Sequence, residues 1–235
     1  MSGKKHTIQR LLGDKMAVID YQILDLGLVL YKNVIPESKR AIELINELSE
    51  RMSHNEHEQA GGWTASANWF PWHDEDKAKP FCYKFGIFRE PADGDFYSKE
   101  IKEIGDILYG GLDRAFKHYS TILYPLAANS VKAEEPNGEV LRYEADGGHL
   151  PAHQDLGNSS RLISTVSYLN DDYTGGEIEF KQSNALIKPD AGDIVFFASN
   201  YLFMHEVKPI TSGTRYAMPH WYHHLKNIRL SDGEE

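Results

Sequence analysis

The sequence contains a single cysteine, Cys82, in 235 residues. One thiol cannot form an internal disulfide, which excludes a disulfide-stapled secreted scaffold and makes a reducing, cytoplasmic compartment the simplest context. The chain also lacks an apolar run long enough to span a membrane, and no apolar segment follows its basic N-terminal residues as a secretory signal would require. We therefore expect a cytoplasmic protein without a membrane partner.

Basic residues are too few for a typical nucleic-acid-binding protein. Lysine and arginine total 25 against 35 aspartate and glutamate residues, which gives a formal net charge of −10. A phosphate backbone repels a protein of this charge, so nucleic acid is not expected as a partner. The length fits one well-cored domain, and the oligomeric state is left open.

The second half of the chain consists of short strand-like segments separated by turn residues. Eight strands fill a jelly roll, the double-stranded β-helix of cupin-like proteins. Because a short polar connection joins the last two, we expect them to form an antiparallel pair. The predicted strands are Glu139–Ala145, Leu150–Gln154, Ser160–Leu169, Gly176–Phe180, Ala185–Ile187, Asp193–Ala198, His205–Pro209 and Arg215–His223.

The first half adds strands and two helices to this core. Gly27 divides an apolar run into two strands between Val18 and Ile35, and apolar stripes predict helices from Pro36 to about Met52 and from Asp95 or Ser98 to about Tyr119. The fold class is therefore mainly β with flanking helices around a jelly-roll core. We expect a single domain over 1–235, with supporting elements and a substrate loop in 1–138, the catalytic core in 139–225 and a flexible tail in 226–235.

Residues 53–80 are polar, lack periodicity and contain Trp63, Trp69 and Trp72. One interpretation is a surface loop whose aromatic side chains pack onto the core. The other is a lid or substrate wall, because long loops inside compact domains are often functional.

A candidate metal site lies in the strand that begins at Leu150. His153 and Asp155 are two residues apart, and side chains at this spacing on a strand point to the same face. Two histidines and one carboxylate form the facial triad of non-haem iron(II) oxygenases. His205, which follows the apolar run 193–197, is the best candidate for the second histidine, and Arg215 follows it. The alternative is a surface His–Asp pair on an edge strand.

These motifs together resemble the prolyl 4-hydroxylase-like branch of the iron(II)- and 2-oxoglutarate-dependent dioxygenases, over about residues 139–225. The resemblance implies that His153, Asp155 and His205 bind iron(II) and that Arg215 pairs with the distal carboxylate of 2-oxoglutarate. It further implies that Tyr143, Tyr168 and Ser164 hold the cosubstrate and that Trp221 lines its pocket. The matching motifs are Tyr143 ten positions before His153-Gln-Asp155, Arg161 to Asn170, Gly175-Gly-Glu177, Asp193 to Phe197, His205 to Pro209 and Thr214-Arg-Tyr-Ala217 to Trp221.

The implied activity is hydroxylation of proline in a peptide or protein, with consumption of O2 and 2-oxoglutarate, release of succinate and CO2, and ascorbate as an accessory reductant. Asp155 stands where halogenases leave a ligand position vacant, which favours hydroxylation. Two alternatives stay open: a hydroxylase of a free amino acid or other small metabolite, and a non-catalytic metal-binding jelly roll. Arg215 argues against the last, because a structural metal site needs no carboxylate-binding cation beside it.

Overall fold

The computed structural model describes residues 19–53, 69–72, 82–88, 98–124, 131–133, 137–145, 147–156 and 160–224. The predicted tail 226–235 lies outside the described residues. So do residues 54–68 and 73–80 of the predicted loop, including Trp63.

The described residues form fifteen strands and two α-helices. The helices are α1 (Ser38–Ser53) and α2 (Ser98–His118), and α2 continues into one π-helical turn, Tyr119–Leu123. Neither helix combines the length and apolar character that a membrane crossing requires. The strands are β1 (Asp20–Asp25), β2 (Leu28–Lys32), β3 (Phe70–Trp72), β4 (Cys82–Phe88), β5 (Val131–Ala133), β6 (Asn137–Glu144), β7 (Leu150–His153), β8 (Arg161–Tyr168), β9 (Thr174–Gly175), β10 (Ile178–Phe180), β11 (Ala185–Ile187), β12 (Ile194–Ala198), β13 (His205–Val207), β14 (Ile210–Ser212) and β15 (Thr214–His224).

Two sheets form the jelly-roll core and confirm the predicted fold class. Within the described residues, the large sheet has the order β1-β2-β12-β8-β15-β6-β4-β3, with β5 paired to the end of β15. The small sheet has the order β11-β10-β13-β7, and β9 pairs with β14. The N-terminal strands extend both edges of the large sheet.

The alternation of side chains along the central strands explains why their sequences are apolar throughout. Ile194 and Phe196 of β12 pack in the cluster that includes the helices, whereas Val195 and Phe197 pack in the cluster between the two sheets. Both faces of β12 are therefore buried, and a strand covered on both faces reads as a continuous apolar run.

The two helices cover the outer face of the large sheet through the apolar stripes that predicted them. Helix α1 begins at Ser38 rather than at Pro36, because the Ser38 N–H donates to the Ile35 carbonyl at 3.1 Å and closes a turn around the proline. The buried residues of these stripes are Leu44, Ile45 and Leu48 of α1 and Ile101, Ile104, Leu108 and Leu112 of α2, and the partly buried ones are Ile42, Ile107 and Phe116.

All eight strands predicted in the second half are present, with small shifts at their ends. The predicted pairing of the last two is wrong. His205 lies on β13, which pairs with β10 and β7 in the small sheet, whereas Arg215 lies on β15, which pairs with β5, β6 and β8 in the large sheet. Between them β14 pairs with β9, so the connection carries the chain from one sheet to the other.

Gly111 sets how closely helix α2 approaches the segment after β2. A Cβ atom at this position would lie 2.5 Å from the Val34 carbonyl oxygen and 2.6 Å from the Ile35 Cγ1. Neighbouring Gly110 has more room, since its nearest contact would be Arg114 at 3.7 Å. The two glycines are adjacent in one helix but meet different surroundings.

We expect Gly111→Ala to destabilise the fold by about 1–3 kcal/mol, because the added methyl group overpacks the contact with backbone atoms. Gly110→Ala is the matched control and should stabilise by up to about 1 kcal/mol through helix propensity. Urea unfolding of both variants measures the difference. Equal effects of the two substitutions would contradict the packing role of Gly111.

Candidate metal centre

Three side chains from the small sheet converge at one end of the space between the sheets. His153 ends β7, Asp155 lies two residues further, and His205 begins β13 directly opposite His153. The ligand atoms of all three lie within 4.8 Å of one another. The Nε2 atoms of His153 and His205 lie 3.6 Å and 3.9 Å from the Asp155 carboxylate oxygens. This arrangement can hold one metal ion.

The backbone orients both imidazole rings toward the carboxylate. The Nδ1 of His153 lies 2.8 Å from the Pro151 carbonyl oxygen, and the Nδ1 of His205 lies 3.0 Å from the Phe203 carbonyl oxygen. An Nδ1–H that donates to a carbonyl fixes the tautomer and leaves Nε2 as the metal-binding atom. Two neutral imidazoles and one carboxylate suit iron(II).

Burial and charge separate the protonation states of the three groups. Burial opposes ionisation of Asp155, but His153, His205 and the Ser164 hydroxyl outweigh it and lower its pKa to about 2. Burial lowers the pKa of His205 to about 4, so this imidazole is neutral at pH 7. Burial also works against a charged His153, but its hydrogen bonds to Asp155 and Pro151 raise its pKa above the ordinary value.

We expect the affinity for a divalent metal to fall as the pH falls through the raised pKa of His153. The metal binds neutral His153 and must displace its proton, whereas His205 and Asp155 have already lost theirs above about pH 5. Below the pKa of His153 the affinity should drop about tenfold per pH unit, with one proton released per metal bound. Co(II) titrations between pH 5.5 and 8 measure the slope, and a flat profile would contradict the assignment.

Arg215 projects toward the same cavity from the large sheet. The cavity has a volume of about 350 Å³, and its walls include His153, Asp155, His205 and Arg215. Arg215 is only 1% exposed, and its Nε and Nη1 atoms have no hydrogen-bond partner in the described parts of the chain. A buried cation without an anion is costly. The cavity is thus built to receive a negatively charged group.

Tyrosine side chains surround the guanidinium on its remaining sides. Its carbon lies 4.7 Å from the ring centre of Tyr143 and 4.9 Å from that of Tyr168. Burial works against the charge of Arg215, but the phenol oxygens of Tyr168, Tyr143 and Tyr173 outweigh burial and raise the pKa above its ordinary value. Burial also raises the pKa of Tyr168 to about 12, so this phenol keeps its proton.

The other residues predicted to hold the cosubstrate differ in their position relative to the cavity. Tyr143 and Trp221 line the cavity, and the Arg161 guanidinium lies 3.7 Å from the centre of the Trp221 ring. Tyr168 contacts Arg215 from behind the cavity wall. Ser164 lies beside Asp155, with its hydroxyl 2.8 Å from that of Ser199.

Several residues at or near the cavity were given no site role from the sequence, among them Tyr173, Arg161, Lys84 and Glu139. The last two form an ion pair at 3.0 Å on adjacent strands and line the cavity. The period of two along β4 could have identified Lys84, because Phe85 and Ile87 belong to the core under the helices and neighbouring positions must face the other way.

The predicted loop contributes one described tryptophan side chain. The Trp69 ring packs against Phe85 and Tyr216 at centroid distances of 5.4 Å and 5.9 Å, with Arg142 over its face. These neighbours lie on the helix side of the large sheet. The position of Trp69 therefore agrees with a loop whose aromatic side chains pack onto the core.

Comparison with known families identifies the segment that carries this site. Residues 138–223 match the model of the 2OG-Fe(II) oxygenase superfamily. This part of the chain belongs to that superfamily. The match contains all three candidate metal ligands and Arg215, and it confirms the resemblance noted from the motifs.

Curated relatives of this oxygenase segment include prolyl 3-hydroxylase 3 of Mus musculus, 39% identical over 104 residues, which are 42% of this chain and 13% of that protein. A PKHD-type hydroxylase of Cupriavidus pinatubonensis is 36% identical over 141 residues, 55% of this chain and 60% of that protein. The chain therefore spans less than two thirds of the length of either relative.

A solved structure of the same fold is a prolyl hydroxylase from Trichoplax adhaerens in complex with a hypoxia inducible factor oxygen degradation domain peptide fragment. It superposes with a TM-score of 0.57 at 19% identity, covering 84% of each chain. At this identity the likeness establishes the shared oxygenase fold.

Gly176 keeps space open beside Arg215. It has a φ of +69°, and a Cβ atom there would lie 2.4 Å from Ile210 Cδ1, 3.0 Å from the Tyr173 ring and 3.1 Å from Arg215 Cδ. Gly147 offers a comparison, because its φ is also positive, at +137°, but no atom of the described residues lies within 4 Å of its Cβ position.

We expect Gly176→Ala to weaken 2-oxoglutarate binding to the metal-loaded protein roughly tenfold, a loss of about 1.4 kcal/mol, by displacing Arg215. Gly147→Ala should cause backbone strain without this loss. Isothermal titration of both variants measures the effect. A normal affinity in Gly176→Ala protein that remains folded would contradict the role assigned to this glycine.

Proposed function

We propose that this protein is an iron(II)- and 2-oxoglutarate-dependent hydroxylase that acts on a prolyl residue of a peptide or protein. The observation that carries the proposal is a buried arginine without an anionic partner in the described residues, facing two histidines and an aspartate across one cavity. A non-catalytic metal site has no use for such a cation.

The donor set fits iron(II), because three protein ligands on one face leave the remaining positions open. Bound there, iron(II) would supply the activation of O2 that hydroxylation requires. The fork of the Arg215 guanidinium suits the distal carboxylate of 2-oxoglutarate, and Tyr143 lies beside it. Leu141, Val166, Ile178 and Val207 provide apolar walls that exclude water around the cosubstrate.

Proline as the substrate is supported by the relatives. The mouse relative is a prolyl 3-hydroxylase, and the Trichoplax structure is a prolyl hydroxylase with a bound peptide. We assign the C-4 position from the motif resemblance, and the mouse relative makes C-3 the alternative. A free amino acid or small metabolite is the second substrate class. The cytoplasmic location and the absence of a nucleic-acid partner stay predictions.

The proposed use of 2-oxoglutarate predicts different kinetic effects for substitutions of the metal ligand His153 and of Arg215. Iron-loaded wild-type protein should release succinate from 2-oxoglutarate when O2 is admitted, and His153→Ala should abolish this turnover. Arg215→Ala should raise the KM for 2-oxoglutarate roughly a hundredfold or more, because it removes one partner of a buried charge pair. The KM of Arg215→Lys should lie between those of the wild type and Arg215→Ala, since lysine keeps the charge but cannot bind the carboxylate through two parallel N–H bonds.

The substrate half is tested by adding a proline-rich peptide pool or free L-proline to the same assay. Succinate release that rises with peptide, together with 4-hydroxyproline in the hydrolysed product, is the expected result. Detection of 3-hydroxyproline instead would show that the enzyme hydroxylates C-3. Stimulation by free proline alone would show that the substrate is a small molecule. Tight metal binding without any turnover would favour the non-catalytic jelly roll.

A further inference from the structure

Asp155 lies beyond the regular part of its strand. Strand β7 ends at His153, so the ladder of this strand stops two residues before the carboxylate. The neighbouring Leu156 N–H donates instead to the carbonyl of Ser199 at 2.8 Å. The position of this metal ligand therefore depends on a residue that follows β12 in the large sheet.

Ser199 is itself fixed at several points. Its N–H donates to the Leu162 carbonyl at 3.1 Å, and its hydroxyl lies 2.8 Å from the hydroxyl of Ser164 on β8. Both serines are buried, at 2% and 1% exposure. The Ser164 hydroxyl also interacts with the Asp155 carboxylate.

The bond between the two hydroxyls leaves this serine pair with one proton to donate elsewhere. Each hydroxyl carries one proton, and the bond between the two serines uses only one of them. The Asp155 carboxylate accepts hydrogen bonds only, so the Ser164 hydroxyl can donate to it in the arrangement in which Ser199 donates to Ser164. A carboxylate held in this way keeps one orientation toward the metal position.

We propose that Ser164 and Ser199 are positioning residues for the metal ligand Asp155. Ser199 holds the backbone at Leu156, and the hydroxyl pair orients the carboxylate. This inference rests on the proposed function, and it assigns Ser164 to the metal side of the cavity instead of the 2-oxoglutarate side that the motif resemblance implied.

The test is an anaerobic Co(II) titration of the full chain, followed by the visible absorption of the bound ion. Ser164→Ala should weaken Co(II) binding at least tenfold and alter the spectrum, since loss of a residue that supports a ligand typically costs 10–100-fold in affinity. Ser199→Ala should act in the same direction. Ser164→Thr, which keeps the hydroxyl, should restore the affinity, and Ser164→Ala/Ser199→Ala should cost less than the sum of the single changes.

Ser167→Ala is the matched control. Ser167 lies on the same strand, is fully buried, and its hydroxyl has no hydrogen-bond partner in the described part of the chain. An equal loss of Co(II) affinity in this variant would overturn the proposal, because the loss would then reflect general destabilisation of β8.

A second titration with 2-oxoglutarate at saturating Co(II) separates the two sides of the cavity. Normal Co(II) binding with weakened 2-oxoglutarate binding in Ser164→Ala would show that Ser164 supports the cosubstrate instead of Asp155, and it would overturn the inference. The proposed function can fail separately: wild-type protein that binds Co(II) and responds to these variants, but never turns over with iron, supports the serine assignment without the hydroxylase. Wild-type protein that binds no Co(II) overturns both.

Discussion

The buried charge of Arg215 is the constraint on which the site depends. Tyrosine rings and phenol oxygens solvate the guanidinium in part, but the described residues offer it no carboxylate. The metal ligands approach from the opposite sheet, so packing of the two sheets, about 10 Å apart in such folds, sets the distance between cation and metal position. A ligand with a carboxylate at one end and metal-binding oxygens at the other bridges this gap, as 2-oxoglutarate can.

The three candidate metal ligands are held by different means. Each histidine donates Nδ1–H to a carbonyl two residues earlier in the chain, so a short segment of backbone orients the ring. Within the described residues, Asp155 has no such contact with a nearby carbonyl and is instead supported by Ser199 and Ser164 of the large sheet. Repacking between the sheets would therefore disturb the carboxylate before it disturbed either imidazole.

The features predictable from the sequence are those encoded over short distances. Short strand-like segments between turn residues predicted the strands, and apolar stripes predicted both helices. The His–x–Asp spacing with His205 and Arg215 predicted the group that the structure brings together. The pairing of β13 with β15 failed because a short connection usually joins neighbouring strands, whereas here β14 crosses between sheets. Ser199 carried no signal, since its contacts are to residues distant in sequence.

Charged residues at the cavity wall come from both halves of the chain. Arg161 and Glu139 fall within the segment 138–223 that matches the oxygenase superfamily, but Lys84, the ion-pair partner of Glu139, lies outside it on β4. Strand β4 pairs with β6 and so brings a residue of the N-terminal half to the wall of the shared cavity. The superfamily segment thus supplies the candidate groups for metal and cosubstrate, while the cavity wall is assembled from both halves of the chain. Similarity over the segment is for this reason better evidence for the chemistry than for the substrate.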